Sequence, residues 1–364
     1  MTAIHRTDMT RLLTSTKRRV QALLLAMAVL TACGTRTAAP GTERYFEATP
    51  ITLPGGSGGI GFDDLGFSLE LGRVLVPAGR TGNLDLVDPG SLEVSTITGF
   101  SSDATYGGGH SQGTTSVDGA LGMLFAIDRT KMQLIVVDPA AQKIVGSVGL
   151  ASGPDYIRYV PTTSELWITE PDTEQIEAFS LTNRRTAVHA GFISIKGGPE
   201  SLVIDTSVQR AYTHLWNNQT VAIDVNNRSV VAQWPNGCSG GSRGIALDAR
   251  LGFLFTGCAE GKATVVDIRS GHLLASLSVD SGVDVIAYNP DVAHLYVPSA
   301  SSGAVSILGV SKSGQLTLLG TAIAGKGSHC VTTDNLGQAW VCDPDHGRLM
   351  VVKDPFASTI RSTP

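Results

Sequence analysis

The sequence predicts an all-β fold: a seven-bladed β-propeller with four-stranded blades, its ring closed by an N-terminal strand. Three observations lead there. First, a short apolar phrase recurs seven times, as LDLVD (84–88), LIVVD (134–138), IEAFS (176–180), TVAID (220–224), ATVVD (263–267), VSILG (305–309) and MVVK ending at Lys353. Its end points (Asp88, Asp138, Ser180, Asp224, Asp267, Gly309 and Lys353) are separated by 50, 42, 44, 43, 42 and 44 residues. A repeat of about 40–50 residues made only of strand-like segments is the pattern of a propeller with one sheet per repeat. Second, no single repeat can bury its apolar faces alone, so the copies must stack in a ring. Third, the last repeat stops at Pro355, one strand short, while EATPITL (47–53) precedes the first repeat with no other role. That segment is expected to supply the missing outer strand and so remove an exposed sheet edge.

The elements follow in order. The first strand of a repeat comes after a glycine-rich lead-in, as in GPDYIRYV (153–160) or GSRGIALD (241–248). The second is short and aromatic, as in ELWIT, RAYTH and HLYVP. The third is the recurring phrase, and the fourth alternates polar and apolar, as in VVAQW (230–234). Alternation fades toward the first and second strands, as expected where neighbouring blades cover both faces. Asp118, Asp205, Asp248, Asn289 and Asp334 recur just after the first strand, where an Asx side chain bonds its own turn.

The N-terminus reads as a targeting segment. Lys17, Arg18 and Arg19 precede a mostly apolar run from Val20 to Leu30, followed by Leu30-Thr31-Ala32-Cys33. A basic region, a short apolar core and small residues before a cut describe a secretory signal. The run is too short for a confident membrane span. The Leu-Thr-Ala-Cys phrase resembles the bacterial lipobox, and by that resemblance Cys33 becomes the lipidated first residue of the mature chain. The expected organisation is a signal peptide (1–32), a tether (33–46), the propeller (47–356) and a short tail (357–364). The expected location is the cell envelope, at the periplasmic face of a membrane or the cell surface. Cleavage removes five basic groups and one acid, moving the net charge from −5 to −9. That balance argues against a nucleic-acid partner.

Four cysteines remain, and export permits disulfides. A turn centred on Leu336 sets Cys330 opposite Cys342, and Cys238 and Cys258 flank the corresponding hairpin of the fifth repeat. The expected pairs are Cys330–Cys342 and Cys238–Cys258. No CxxC spacing supports the rival zinc reading.

LWITEPDTEQIEAFSLTN and LYVPSASSGAVSIL resemble the YVTN repeats of bacterial YncE-like seven-bladed propellers, over roughly residues 47–355. The resemblance is specific for fold and weak for activity, since one fold serves many roles. The last Asn of the motif is replaced throughout, by Ala78, Asp128, Glu170, Leu215, Cys258, Ser299 and Asp343.

Chemistry is expected at the channel mouth. Counting back 11 or 12 positions from the second-strand residues Leu75, Phe125, Trp167, Tyr212, Phe255, Tyr296 and Trp340 reaches Asp64, Gly113, Asp155, Glu200, Arg243, Asp284 and His329. Six of these seven are ionisable, in a chain only 16% charged. They form the predicted ligand-binding ring. Clustered carboxylates repel unless a cation, Arg243 or a proton compensates. Asp155, Glu200 and Asp284 offer hard oxygen ligands suited to Ca²⁺ or Mg²⁺. The second repeat is longer and carries YGGGHSQGTT (106–115), which would bring His110 over the channel toward His329 as an acid–base or ligand pair. The Gly55–Gly61 stretch satisfies GxSxG and GxGxxG but lies between no strand and helix, so neither mechanism applies.

The leading reading is a lipid-anchored extracytoplasmic binding or scaffold protein, monomeric, tied to the membrane by its lipid and engaging a protein partner or a small polar ligand at the mouth. The alternative is a metal-dependent propeller hydrolase or lyase. AVSILGVSKSGQLTLLG (304–320) resembles a lactonase-type repeat. In that reading Glu200 and Asp284 hold the cation and His329 or His110 moves a proton.

Overall fold

A computed structural model describes residues 45–357. The expected signal peptide, Cys33 and most of the expected tether lie outside the described residues. Seven antiparallel sheets follow one another along the chain. The second to fifth each consist of four consecutive strands, with inner strands at Thr114–Ala120, Ile157–Val160, Val203–Asp205 and Ser242–Asp248. The first blade runs from Gly66–Ser68 out to Val94–Ser102. No described helix is long and apolar enough to cross a membrane.

The ring closes as the short last repeat requires. Thr49–Thr52 pairs antiparallel with Arg348–Lys353, so the N-terminal segment forms the outer strand of blade seven. One feature was not expected. Tyr45–Glu47 runs parallel to Leu316–Ile323 and adds a fifth strand to blade six. The chain therefore grips two adjacent blades before it enters blade one.

The second strands are the most deeply buried. Leu75, Phe125, Trp167, Tyr212, Phe255, Tyr296 and Trp340 are all at most 3% exposed. The aspartates of the repeated phrase have a structural task. Asp88 Oδ1 accepts the N–H groups of Gly90 and Ser91, and Asp224 Oδ1 those of Asn226 and Asn227. Asp138 and Asp267 do the same for Ala141 and Arg269. Each caps the tight turn into the fourth strand. After the first strand, Asp205, Asp248, Asn289 and Asp334 likewise accept N–H groups two residues on.

The last position of the second-strand motif binds the crossover from the preceding blade. Asp128 accepts the Ser101 N–H, Glu170 the Ser152 N–H, and Ser299 donates to the Asp280 carbonyl. In blade five the same link is covalent, the Cys238–Cys258 disulfide, with Cα atoms 5.4 Å apart.

The second expected disulfide is not formed. Cys330 and Cys342 face each other, one position along from the Val331–Val341 pair, but both are free thiols. The Cys342 sulfur instead accepts the N–H groups of His329 at 3.4 Å and Cys330 at 3.1 Å.

Candidate functional site

The glycines of the first lead-in explain how the blade-two insertion reaches the axis. A Cβ on Gly61 would sit 2.2 Å from the Gly109 carbonyl oxygen, and one on Gly59 2.3 Å from the Tyr106 ring. Only bare backbone lets the 106–115 loop lie this close. The contact carries His110 to the channel mouth. Its ring centroid lies 6.0 Å from that of His329.

The mouth is a cavity of about 390 Å³ lined by Asp63, His110, Arg129, Asp155, Glu200, Trp216, Arg243 and Asp284, among others. A neighbouring lobe of about 410 Å³ shares His110, Arg243 and Asp284 and adds His329. The structure thus brings Asp155, Glu200, Arg243, Asp284, His329 and His110 to one mouth. Asp64 is not among them. Its backbone N–H bonds the Thr115 carbonyl at 3.0 Å, and the residue bridges to Ser116. Successive residues of an extended strand point to opposite sides, so Asp63 takes the mouth and Asp64 turns down the channel. There Asp64 accepts Arg158 Nη1 at 2.5 Å and Nη2 at 2.9 Å, and the Ser116 hydroxyl. Arg158 stacks on the Tyr156 ring at 5.2 Å. Tyr156 borders both the mouth and the deeper cavity of about 230 Å³.

Besides Asp63, Arg129 and Trp216 of the mouth escaped sequence reasoning. Both immediately follow the last position of the second-strand motif (Asp128 and Leu215). Pro171, Ala300 and Pro344 at the equivalent position also line the mouth or its lobe. That offset is the signal that would have found them. Arg129 donates to Asp63 at 2.7 Å, to Asp155, and to the Pro154 carbonyl at 2.9 Å. Arg243 donates to Glu200 at 2.6 Å and stacks over Trp216 at 4.7 Å. Trp216 donates its indole N–H to Glu200 and stays about half exposed at the rim.

These pairings govern the charges. Burial opposes ionisation of Asp63, but His110 and Arg129 outweigh it and hold its pKa below the usual aspartate value. Asp63 in turn raises that of His110, 3.1 Å away, against its burial. Burial pushes Asp155 well up, and the surrounding carboxylates add to the rise. Glu200 and Asp284 are raised too, burial again leading. The Asp284 carboxylate forms no hydrogen bond or ion pair with any described residue.

His329 is committed. Nδ1 lies 2.7 Å from the Gly327 carbonyl oxygen and Nε2 2.9 Å from that of Phe62. Both neighbours only accept, so both nitrogens must donate and the ring is an imidazolium. Burial opposes that charge, but the Cys342 sulfur, 3.9 Å from Nδ1, and Asp284 raise its pKa well above the usual histidine value. His329 therefore has no lone pair with which to accept a proton or hold a metal. Of the expected acid–base or ligand roles, this geometry leaves only that of an acid.

The expected metal set is also not assembled. Asp155, Glu200 and Asp284 do not bring ligand atoms within 4.8 Å of one another, and Arg243 holds Glu200. Among the described residues, three groups have candidate ligand atoms within 4.8 Å of one another: Asp63–His110–Asp284, His329–Cys330–Cys342 and Cys238–Cys258–Glu260. The last is spent on a disulfide, and His329 disqualifies the second.

No protein-family model matches the chain, and no curated protein matches it. Solved structures do. One chain from the crystal structure of a mitotic checkpoint complex aligns over 93% of this chain and 99% of its own, at TM-score 0.68 and 15% identity. Another, from Kuenenia stuttgartiensis hydrazine synthase, aligns over 86% and 100%, at TM-score 0.68 and 13% identity. At these identities the likeness establishes the seven-bladed fold alone.

Proposed function

We propose that this chain is an exported binding protein, YncE-like in kind and lipid-anchored through Cys33, that takes a small polar ligand in its channel mouth. One observation carries the reading: side chains from six blades line one cavity and those of the seventh its adjoining lobe, yet the Asp284 carboxylate makes no hydrogen bond there. The free carboxylate suits an amine or hydroxyl donor on the ligand. Arg243, on the opposite charge, suits an acceptor, and the half-exposed Trp216 offers a flat apolar face. The hydrolase reading is weaker, because His329 cannot act as a base and only His110 remains to accept a proton.

The test is a thermal-shift and calorimetric screen of amino acids, polyamines, sugars and hydroxy acids against the metal-free protein with chelator present. A ligand is expected that stabilises the wild type saturably and loses affinity about tenfold or more in Asp284→Asn. A panel without effect on the wild type, joined to capture of a protein partner that Asp284→Asn and Glu200→Gln leave unchanged, would favour a scaffold instead. The anchor is tested separately. Metabolic labelling with an alkyne fatty acid should mark the wild type and fail in Cys33→Ala.

A further inference from the structure

We propose that the mouth holds a divalent transition-metal ion between Asp63, His110 and Asp284, a set that shares only Asp284 with the carboxylates that the repeat pattern points to. The three residues come from different parts of the ring: blade one, the blade-two insertion and blade six. Their candidate ligand atoms lie within 4.8 Å of one another, so small side-chain adjustments bring them to the spacing that metal–ligand bonds of about 2.1 Å require.

Three observations point to a cation. Asp63 is 3% exposed and uses only Oδ2, which faces Arg129 at 2.7 Å and His110 at 3.1 Å; Oδ1 has no hydrogen-bond partner. Asp284 accepts no hydrogen bond and forms no close ion pair among the described residues; Asp63 repels its charge, while His329, His110 and Arg243 offset it from farther away. His110 turns Nδ1 toward Asp63 and Arg129, and its Nε2 makes no hydrogen bond among the described residues. One ligand atom from each of the three residues therefore shares one corner of the cavity, and each residue keeps a further nitrogen or oxygen free of hydrogen bonds. One imidazole with two carboxylates favours a borderline ion such as Zn²⁺, Co²⁺ or Mn²⁺ over Ca²⁺. Three protein ligands leave coordination positions open to the cavity, where a ligand carboxylate or hydroxyl could complete the shell. In that respect the site deepens the binding reading above, on whose cavity it rests.

The experiment uses the mature chain stripped with chelator and then titrated with Co²⁺ alone, followed by visible absorption and calorimetry. One ion per chain is expected, with a d–d band reporting nitrogen and oxygen ligands. His110→Ala and Asp284→Asn should each weaken binding on the order of 100-fold. Asp172→Asn, which removes another carboxylate of the same mouth, should leave it unchanged. His110 lies in a loop, and a thermal melt checks that its variant is folded. No binding by the wild type, equal binding by His110→Ala and Asp284→Asn, or equal loss in Asp172→Asn would each overturn the site. Because the polar-ligand screen is run with chelator, either result can fail while the other stands.

Discussion

At the scale of single residues, Asp85 shows how a buried charge sets a pH dependence. It is fully buried in the third strand of blade one, accepts the Thr96 hydroxyl at 2.7 Å with Oδ1, and leaves Oδ2 without a partner. Burial raises its pKa to about 6. The folded state thus holds its proton to a higher pH than the unfolded chain does. Stability from this group is present at low pH and is lost as pH rises from about 4 to about 6. Asp85→Asn should stabilise the protein at pH 8 by up to roughly 3 kcal/mol and by almost nothing at pH 4, as read by denaturant titration at both values. An equal gain at both would show that the carboxylate is not the cause. The residue scale is also where sequence reasoning slipped. Asp63 and Asp64 are adjacent and chemically identical, and blade one offers only Leu75 as an anchor for counting. The Asp64–Thr115 backbone bond that decides between them joins two blades and leaves no trace in local pattern. His110 was legible because an insertion interrupts the repeat. The commitment of His329 to two carbonyls was not, since backbone acceptors carry no sequence signal.

At the scale of elements, the closure and the crossovers were the parts most open to reading. The missing fourth strand of blade seven was visible as a shortfall, and Thr49–Thr52 fills it. Tyr45–Glu47 was invisible as a strand, because three residues carry no usable period. Together they cover the edges of two blades. Deleting residues 45–52 should expose the Arg348–Lys353 edge, lower the melting temperature and promote aggregation measured by light scattering; a deletion variant as stable and monodisperse as the parent would show that the edge is protected some other way. In four of the seven repeats the motif's last position serves one task by different chemistries. Carboxylates at Asp128 and Glu170, a hydroxyl at Ser299 and a disulfide at Cys258 all tie the preceding crossover. The disulfide spans 20 residues, and its loss in a Cys238→Ala/Cys258→Ala double variant should cost about 3 kcal/mol. Equilibrium unfolding of the variant checks this, and an unchanged midpoint would contradict it. The other cysteine pair shows the limit of spacing arguments. Facing positions were legible, but the direction of the Cys342 sulfur toward two backbone N–H groups was not.

At the scale of the whole molecule, sevenfold repetition creates the site. The lead-ins to the first strands and the ends of several second strands bring side chains from all seven blades to the mouth and its adjoining lobe. Convergence is a property of the ring, and no single repeat displays it. That is why composition alone says nothing of function here, while the repeat spacing says where to look. Trp216 provides a built-in reporter, since it stands half exposed at the rim while Trp167 and Trp340 are fully buried. The most direct measurement is intrinsic fluorescence during titration of the mature protein with the best compound from the polar-ligand screen. A saturable change is expected that disappears in Trp216→Phe, with a midpoint displaced to higher concentration in Asp284→Asn. A midpoint that Asp284→Asn leaves in place, or a signal that survives in Trp216→Phe, would put the ligand somewhere other than the channel mouth.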